Sequence, residues 1–180
     1  MQHTYLSKVK ILVVDDQRFS RVLLRRILGV LGCRRITEAN SADLGWNRIL
    51  LSPPDLLIVD WEMQKSDGLE LVRRIRHDEA SPDKYLPIIM LTAHSERARI
   101  VIARDAGVNE FIIKPLSPEI LFKRLDEVIE HARSFIRTKN YFGPDRRRQK
   151  GPYTGRERRK QTSDPVKETP EAGDGGYPAP

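Results

Sequence analysis

Five short apolar runs recur along the first 114 residues of the chain, and polar residues seldom alternate within them. The runs occupy residues 9–14, 35–39, 55–59, 86–91 and 110–114. Apolar runs of this length, without regular polar alternation, are typical of strands that are buried on both faces of a sheet. The pattern therefore predicts five strands.

Helical patterns follow these runs. In the first pattern, apolar residues recur at every fourth position, at Phe19, Leu23, Ile27 and Leu31. The last pattern begins with Ser117 as a helix N-cap and Pro118 at the first helical position, where proline is well tolerated. Its apolar positions extend the predicted helix to about residue 136.

The predicted order of elements is βαβαβαβαβα. Strict alternation favours a parallel sheet with helices on both faces, joined by right-handed crossovers. Ten elements within about 130 residues fit an α/β flavodoxin-like (βα)5 fold, a doubly wound sheet with strand order 2-1-3-4-5. Ligands of such sheets bind beyond the carboxyl ends of the strands, near the switch between strands 1 and 3. We expect residues 1–137 to form this domain.

Composition and charge add a second region. The chain has 180 residues and one cysteine, and it contains neither an apolar window of the roughly 18 residues that a membrane span needs nor a secretory signal. We therefore expect a cytoplasmic protein without an internal disulfide. The net charge is +3 for residues 1–137, +7 for residues 138–160 and −3 for residues 161–180. The basic excess thus lies mostly outside the predicted domain.

Polar side chains come at the ends of four predicted strands: Asp15 and Asp16, Asp60, Thr92, and Lys114. Three carboxylates at one edge of a sheet repel one another, and a bound Mg²⁺ would offset the repulsion. A lysine and a hydroxyl facing that ion suit a phosphoryl group, and an aspartate can act as the nucleophile. Each residue alone has an ordinary structural interpretation, such as a helix N-cap. Their joint placement favours a functional site.

Four segments resemble the successive motifs of response-regulator receiver domains. The segments are "ILVVDDQRFSR", "DLLIVDWEMQKSDGLELVRRIR", "PIIMLTA" and "FIIKPLSPEIL". The resemblance covers about residues 8–136 and implies a phosphorylation-dependent signalling switch. It implies that Asp60 accepts a phosphoryl group from a histidine kinase or a phosphotransfer protein.

The resemblance also implies the roles of the neighbouring residues. Asp15, Asp16, Asp60 and the backbone carbonyl of Glu62 would bind Mg²⁺. Thr92 and Lys114 would bind phosphoryl oxygens, and the Lys114–Pro115 peptide bond would be cis. Phe111 would be the aromatic switch residue. A downstream protein would bind the face formed by the fourth helix, the fifth strand and the fifth helix.

The last 43 residues, 138–180, contain too few apolar side chains for a second core, so we expect a flexible, disordered tail. Residues 141–148 and 153–160 repeat the pattern Tyr-x-Gly-x-acid-Arg-Arg-base. Tyrosine and arginine are common at protein interfaces, and a repeated pattern favours docking on a protein partner. The candidate docking residues are Tyr141, Arg146, Arg147, Tyr153, Arg158 and Arg159.

Other interpretations stay open. The Arg-rich tail could bind nucleic acid under control of the receiver, dock on anionic lipid, or serve only for solubility. A metal-dependent phosphatase that uses Asp60 as its nucleophile is a weaker alternative, because the chain has little length left for a substrate pocket. We expect a single-domain signalling phosphoacceptor with only slow self-phosphorylation and self-dephosphorylation, not a metabolic enzyme.

Overall fold

A five-stranded parallel sheet forms the centre of the protein, in a computed structural model that describes residues 4–64, 66–93, 96–139 and 141–146. Its strands are β1 (Lys10–Val14), β2 (Arg35–Ala39), β3 (Leu56–Asp60), β6 (Ile88–Thr92) and β7 (Glu110–Ile113). Two short strands after β3, β4 (Glu62–Met63) and β5 (Ser66–Asp67), pair with each other in a separate antiparallel ribbon. The order β2-β1-β3-β6-β7 confirms the predicted order 2-1-3-4-5. All four pairings are parallel, so the carboxyl ends of the strands lie along one edge.

Five helices cover the two faces of the sheet: α1 (Arg18–Val30), α2 (Ala42–Leu51), α3 (Gly68–His77), α4 (Arg97–Asp105) and α5 (Pro118–Ile129). Alternate residues of each strand pack on opposite faces. In β1, Ile11 and Val13 share a cluster with α1 and α5, and Leu12 and Val14 share one with α2, α3 and α4. No helix in the described ranges is long and apolar enough to cross a bilayer.

Side-chain caps begin three of the helices. The hydroxyl of Ser41 accepts a hydrogen bond from the Leu44 backbone amide, and Asp67 accepts one from Leu69. Ser117 caps α5 in the same way, and Pro118 occupies its first turn, as the sequence predicts. These caps satisfy amide groups that the helices leave without a partner.

The buried face of α1 differs from the predicted one. Phe19 is 79% exposed and Leu23 is 40% exposed, although both belong to the predicted apolar stripe. The helix buries Ile27, a member of that stripe, together with Leu24 and Leu28, which are not members, against the sheet. A strict four-residue spacing drifts around a helix of 3.6 residues per turn, so its first members turn away from the sheet.

The C-terminal end of α5 also differs from the prediction. The helix ends at Ile129, and residues beyond it form an antiparallel hairpin of β8 (Phe135–Thr138) and β9 (Tyr141–Pro144). We refer to residues 135–139 and 141–146 as the C-terminal hairpin. The ring of Phe135 lies 5.0 Å from that of Tyr85 and 5.5 Å from that of Phe142. This aromatic packing uses an apolar residue that the sequence pattern assigned to a longer helix.

The folded part thus extends past residue 137, where we expected a flexible tail to begin. Phe142 is buried, and its carbonyl group lies against Gly107 at the end of α4. A Cβ atom on Gly143 would lie 2.8 Å from the Cα atom of Gly107, so only glycine fits this approach. The difference from the expectation concerns residues 138–139 and 141–146; residues 147–180 lie outside the described ranges.

Two of the six candidate docking residues make contacts within the hairpin. The Tyr141 hydroxyl donates a hydrogen bond of 2.6 Å to the Pro144 carbonyl oxygen. The Arg146 guanidinium lies 3.7 Å from the centre of the Tyr141 ring and 3.3 Å from a carboxylate oxygen of Asp105. The other four candidates, Arg147, Tyr153, Arg158 and Arg159, lie outside the described residues.

Candidate functional site

Three aspartates meet at the carboxyl edge of the sheet, as the sequence predicts. Asp15 and Asp16 follow β1, and Asp60 ends β3. One carboxylate oxygen from each lies within 4.8 Å of the others. Asp15 is fully buried, and Asp60 is 3% exposed. We call these three residues the acid cluster.

Neighbouring groups hold Asp15 in place. One carboxylate oxygen accepts a hydrogen bond from the Gln17 backbone amide, and the other accepts one of 2.5 Å from the Ser20 hydroxyl. The Arg21 guanidinium donates to the backbone carbonyls of Asp15 and Asp16, at 2.8 and 3.1 Å. Ser20 and Arg21 are on α1, so the first turn of this helix fixes the geometry of the acid cluster.

Lys114 reaches the acid cluster from the end of β7. Its ammonium nitrogen lies 3.0 Å from Oδ1 of Asp60 and 3.5 Å from Oδ2 of Asp15. Burial nevertheless raises the pKa of Asp60 from 3.8 to about 6, against the lowering effect of the Lys114 hydrogen bond and charge. The charges of Asp15 and Asp16 add to the rise. A single lysine does not offset the burial of this carboxylate.

Asp16 offers an oxygen atom for a cation. Its Oδ2 accepts a hydrogen bond of 2.7 Å from the Gln64 backbone amide. Its Oδ1 is buried and accepts no hydrogen bond from any described residue. A buried carboxylate oxygen without a hydrogen-bond donor, beside two further carboxylates, is a suitable ligand for a cation that binds oxygen, such as Mg²⁺. The residues present therefore fit the ion that the sequence suggests.

Thr92 follows Leu91, the register partner of Asp60, and Phe111 lies on the next strand, β7. Thr92 ends β6, is 3% exposed, and accepts a 2.8 Å hydrogen bond on its carbonyl from the Lys114 backbone amide. Phe111 pairs with Met90 in the sheet and is half-buried against the core that α2, α3 and α4 cover. The Lys114–Pro115 bond is cis, as the resemblance implies.

The sequence patterns did not single out Gly68, the first residue of α3. A Cβ atom there would lie 2.0 Å from the carbonyl oxygen of Asp60, so no other residue fits without a backbone shift. The Gly68 amide also donates a 2.9 Å hydrogen bond to the Trp61 carbonyl oxygen. In the sequence, Gly68 is marked only by its position directly after Asp67, the N-cap of α3. That position does not reveal the contact with the Asp60 carbonyl.

A second unforeseen contact joins the segment directly after β3 to α4. The Glu62 carboxylate lies 2.5 Å from the Arg99 guanidinium, which also lies 5.5 Å from the centre of the Trp61 ring. Trp61 is 8% exposed and packs in the core. The pair therefore connects the residues that follow Asp60 to the first turn of α4.

Comparison with known proteins agrees with this geometry. The sequence profile of the response regulator receiver domain matches residues 11–126. The chemotaxis protein CheY1 of Helicobacter pylori is 36% identical over 122 residues, which are 67% of this chain and 97% of that protein. CheY of Pseudomonas aeruginosa is 33% identical over 122 residues, 68% of this chain and 97% of that protein.

Solved structures share the fold. A putative response regulator from Chloroflexus aurantiacus superposes with a TM-score of 0.63 at 30% identity, covering 68% of this chain and 98% of that one. CheY4 of Vibrio cholerae superposes with a TM-score of 0.62 at 26% identity, covering 67% and 98%. The chain therefore belongs to the family of response regulator receiver domains, which are phosphorylation-dependent signalling switches and not classical enzymes.

Proposed function

We propose that this chain is a cytoplasmic signalling protein that accepts a phosphoryl group on Asp60 from a histidine kinase or a phosphotransfer protein. The observation that carries the proposal is the position of Asp60, a buried carboxylate 3.0 Å from the Lys114 ammonium and within the acid cluster. Family membership supports the kind of reaction. The geometry supports the choice of the acceptor.

The acid cluster would hold Mg²⁺ through Asp15, Asp16 and Asp60, together with the backbone carbonyl of Glu62. When bound, the ion would neutralise charge on the phosphoryl oxygens during transfer. The buried Oδ1 of Asp16 supports this assignment, since it has no hydrogen-bond donor among the described residues.

In the transfer step, a carboxylate oxygen of Asp60 attacks the phosphorus of a phosphohistidine. The new P–O bond forms as the P–N bond breaks, and the electron pair of that bond returns to the imidazole ring. Gly68 lets α3 begin directly against the Asp60 carbonyl and so fixes the backbone of the nucleophile. Positioning of this kind is most of what phosphoryl transfer requires.

After transfer, Lys114 and Thr92 would hold the phosphoryl oxygens, Lys114 by its charge and Thr92 by its hydroxyl. A shift of Thr92 toward the phosphoryl group would change the packing of the half-buried Phe111 on the next strand. The differential contacts with the phosphoryl group would bias two states of this region. Self-phosphorylation by small donors and self-dephosphorylation would be slow.

The output surface would be the face formed by α4, β7 and α5. It exposes aliphatic side chains from all three elements, between 38% and 45% accessible: Val101, Ile113 and Ile120. A downstream protein partner would cover these side chains. Tyr141 and Arg146 are engaged within the hairpin, so docking by the tail would rest on Arg147, Tyr153, Arg158 and Arg159.

The acceptor is tested by intact mass spectrometry after incubation with Mg²⁺ and acetyl phosphate. The parent protein and the matched control Asp43→Asn, an exposed carboxylate on α2, should gain one phosphoryl adduct. Asp60→Asn should gain none. An undiminished adduct in Asp60→Asn would show that the acceptor lies elsewhere. Transfer from a phosphorylated histidine phosphotransfer domain, tested on the same variants, would establish the donor class.

A further inference from the structure

The C-terminal hairpin packs at the opposite end of the sheet from the acid cluster. It contacts the segments that precede β6 and β7, through Tyr85 and Gly107. Arg133, just before the hairpin, donates hydrogen bonds to the carbonyls of Asn109 and Asp145 and pairs with Glu110. The hairpin follows residues 11–126, the range that matches the receiver profile, so it lies outside the matched part of the chain.

A basic cleft of about 400 Å³ lies between the hairpin and the end of α3. We call it the hairpin cleft. No carboxylate belongs to its described lining, which contributes five basic side chains: Arg76, His77, Lys84, Arg137 and Lys139. Thr138, Tyr141 and Phe142 complete the wall. Cavities of this volume are large enough for small ligands.

Arg76 is a buried cation in this lining. It is 1% exposed, and its guanidinium donates to three neutral oxygens, the carbonyls of Gly107 and Lys84 and the side-chain oxygen of Asn109. Burial lowers its pKa to about 9, which leaves it charged at neutral pH; the charge of Asp83 acts in the other direction. Among the described residues Arg76 forms no direct ion pair, and Asp83 acts on its charge only from a distance. The cleft therefore has a positive potential at its base.

The hairpin adds cations at the mouth of the cleft. Arg137 and Lys139 are exposed, and the Arg137 guanidinium is held 4.9 Å from the centre of the Phe142 ring. Lys84, in the loop after α3, also lines the cleft, and its backbone carbonyl accepts a hydrogen bond from Arg76. Guanidinium and ammonium groups converging from several directions suit a group with at least two negative charges, and phosphate fits them better than one carboxylate.

We propose that the hairpin cleft binds adjacent phosphate groups, such as those of a nucleoside polyphosphate or of a single nucleic-acid strand. Both sources present the same chemistry to the cations. The site does not depend on phosphorylation of Asp60.

The test measures binding of fluorescently labelled ATP and of a short labelled DNA single strand to the full chain by anisotropy. The cleft variant is Arg137→Glu/Lys139→Glu. The control Arg26→Glu/Lys123→Glu makes the same charge change at exposed positions on α1 and α5, across the sheet from the cleft. The cleft variant should weaken binding at least tenfold, about 1.4 kcal/mol. The control should change it far less. The conservative variant Arg137→Lys/Lys139→Arg, which keeps both positive charges, should bind both probes about as tightly as the parent protein.

The two probes distinguish the sources. Loss of ATP binding in the cleft variant would support a nucleotide site. Loss limited to the strand, with a salt dependence whose slope falls by about 1.4 for two lost cations, would support a strand site. Three outcomes would overturn the proposal: neither probe binds, the cleft variant binds as well as the control, or polyglutamate competes as well as unlabelled ATP. Loss only when Arg147, Arg148, Arg158 and Arg159 become serine would place binding on the basic segment and also overturn it.

Discussion

Replacing Asp60 with Asn should stabilise the metal-free protein at neutral pH. The carboxylate is buried, and its pKa rises from 3.8 to about 6 even with Lys114 beside it. A rise of about two pKa units corresponds to ~3 kcal/mol of unfavourable free energy in the folded, ionised state. Asparagine keeps the shape of the side chain without the charge. We therefore expect Asp60→Asn to gain ~3 kcal/mol at pH 7.5 in the presence of a chelator.

The pH dependence of this gain follows from the direction of the shift. The folded protein holds the Asp60 proton more tightly than the unfolded chain does, so this group destabilises the fold increasingly as pH rises from 3.8 through about 6. The difference between Asp60→Asn and the parent should be about 1 kcal/mol at pH 4.5 and grow to ~3 kcal/mol at pH 7.5. Below the unfolded-state pKa the difference should disappear.

Urea unfolding, followed by circular dichroism between pH 4.5 and 7.5 with a chelator, measures these free energies. Glu79→Gln, which neutralises an exposed carboxylate, is the matched control and should differ from the parent by less than about 0.5 kcal/mol. Mg²⁺ should stabilise the parent more than Asp60→Asn, because it binds the folded carboxylate. A difference that stays constant with pH, or an Asp60→Asn protein less stable than the parent at pH 7.5, would refute the reasoning.

Three further substitutions test other parts of the structure. Asp16→Ala should weaken Mg²⁺ binding at least tenfold, about 1.4 kcal/mol, as measured by Trp61 fluorescence during a metal titration. Gly68→Ala should cost about 1–3 kcal/mol or more in urea unfolding, because its Cβ would meet the Asp60 carbonyl oxygen at 2.0 Å. Phe142→Ala should cost about 3 kcal/mol in the same assay, because a buried aromatic ring is lost.

Each of these has a control in the chain. Asp43→Ala removes an exposed carboxylate on α2 and should leave Mg²⁺ affinity unchanged. Gly29→Ala adds a methyl group that meets nothing within 4 Å and should be neutral or stabilising. Phe19→Ala removes a ring that is 79% exposed and should cost little. If any control behaves like its test variant, the effect does not come from the contact named.

The sequence predicts which side chains meet at the carboxyl edge because strand order and strand ends are linked. Once alternating elements imply a doubly wound sheet, residues at strand ends must share an edge, and Lys114 is found beside Asp60 as expected. The hairpin could not be predicted in the same way. Phe135 fits an apolar helical stripe as well as a strand, and the choice depends on contacts with Tyr85, 50 residues earlier. Local patterns do not contain such contacts.

The same limit applies to Gly68 and Arg99. The need for glycine at position 68 comes from the close approach of the Asp60 carbonyl, and Arg99 meets Glu62 across 37 residues of sequence. Arginine and glutamate are common on surfaces, so their pairing has no sequence signal. Prediction succeeded where the topology of the sheet alone brings residues together. It failed where a particular side-chain contact determines the local structure.

The close contact between Gly107 and Gly143 joins the C-terminal hairpin to the sheet domain, and it therefore determines where a fragment of this protein can end. The matched range of the receiver family ends at residue 126, inside α5. A fragment cut there would remove the hairpin, uncover the surface around Arg76 and leave the Tyr85 ring without its two aromatic neighbours. Measurements on such a fragment would describe a shortened protein with a different surface at that end. A fragment intended to keep the hairpin must extend at least to Arg146.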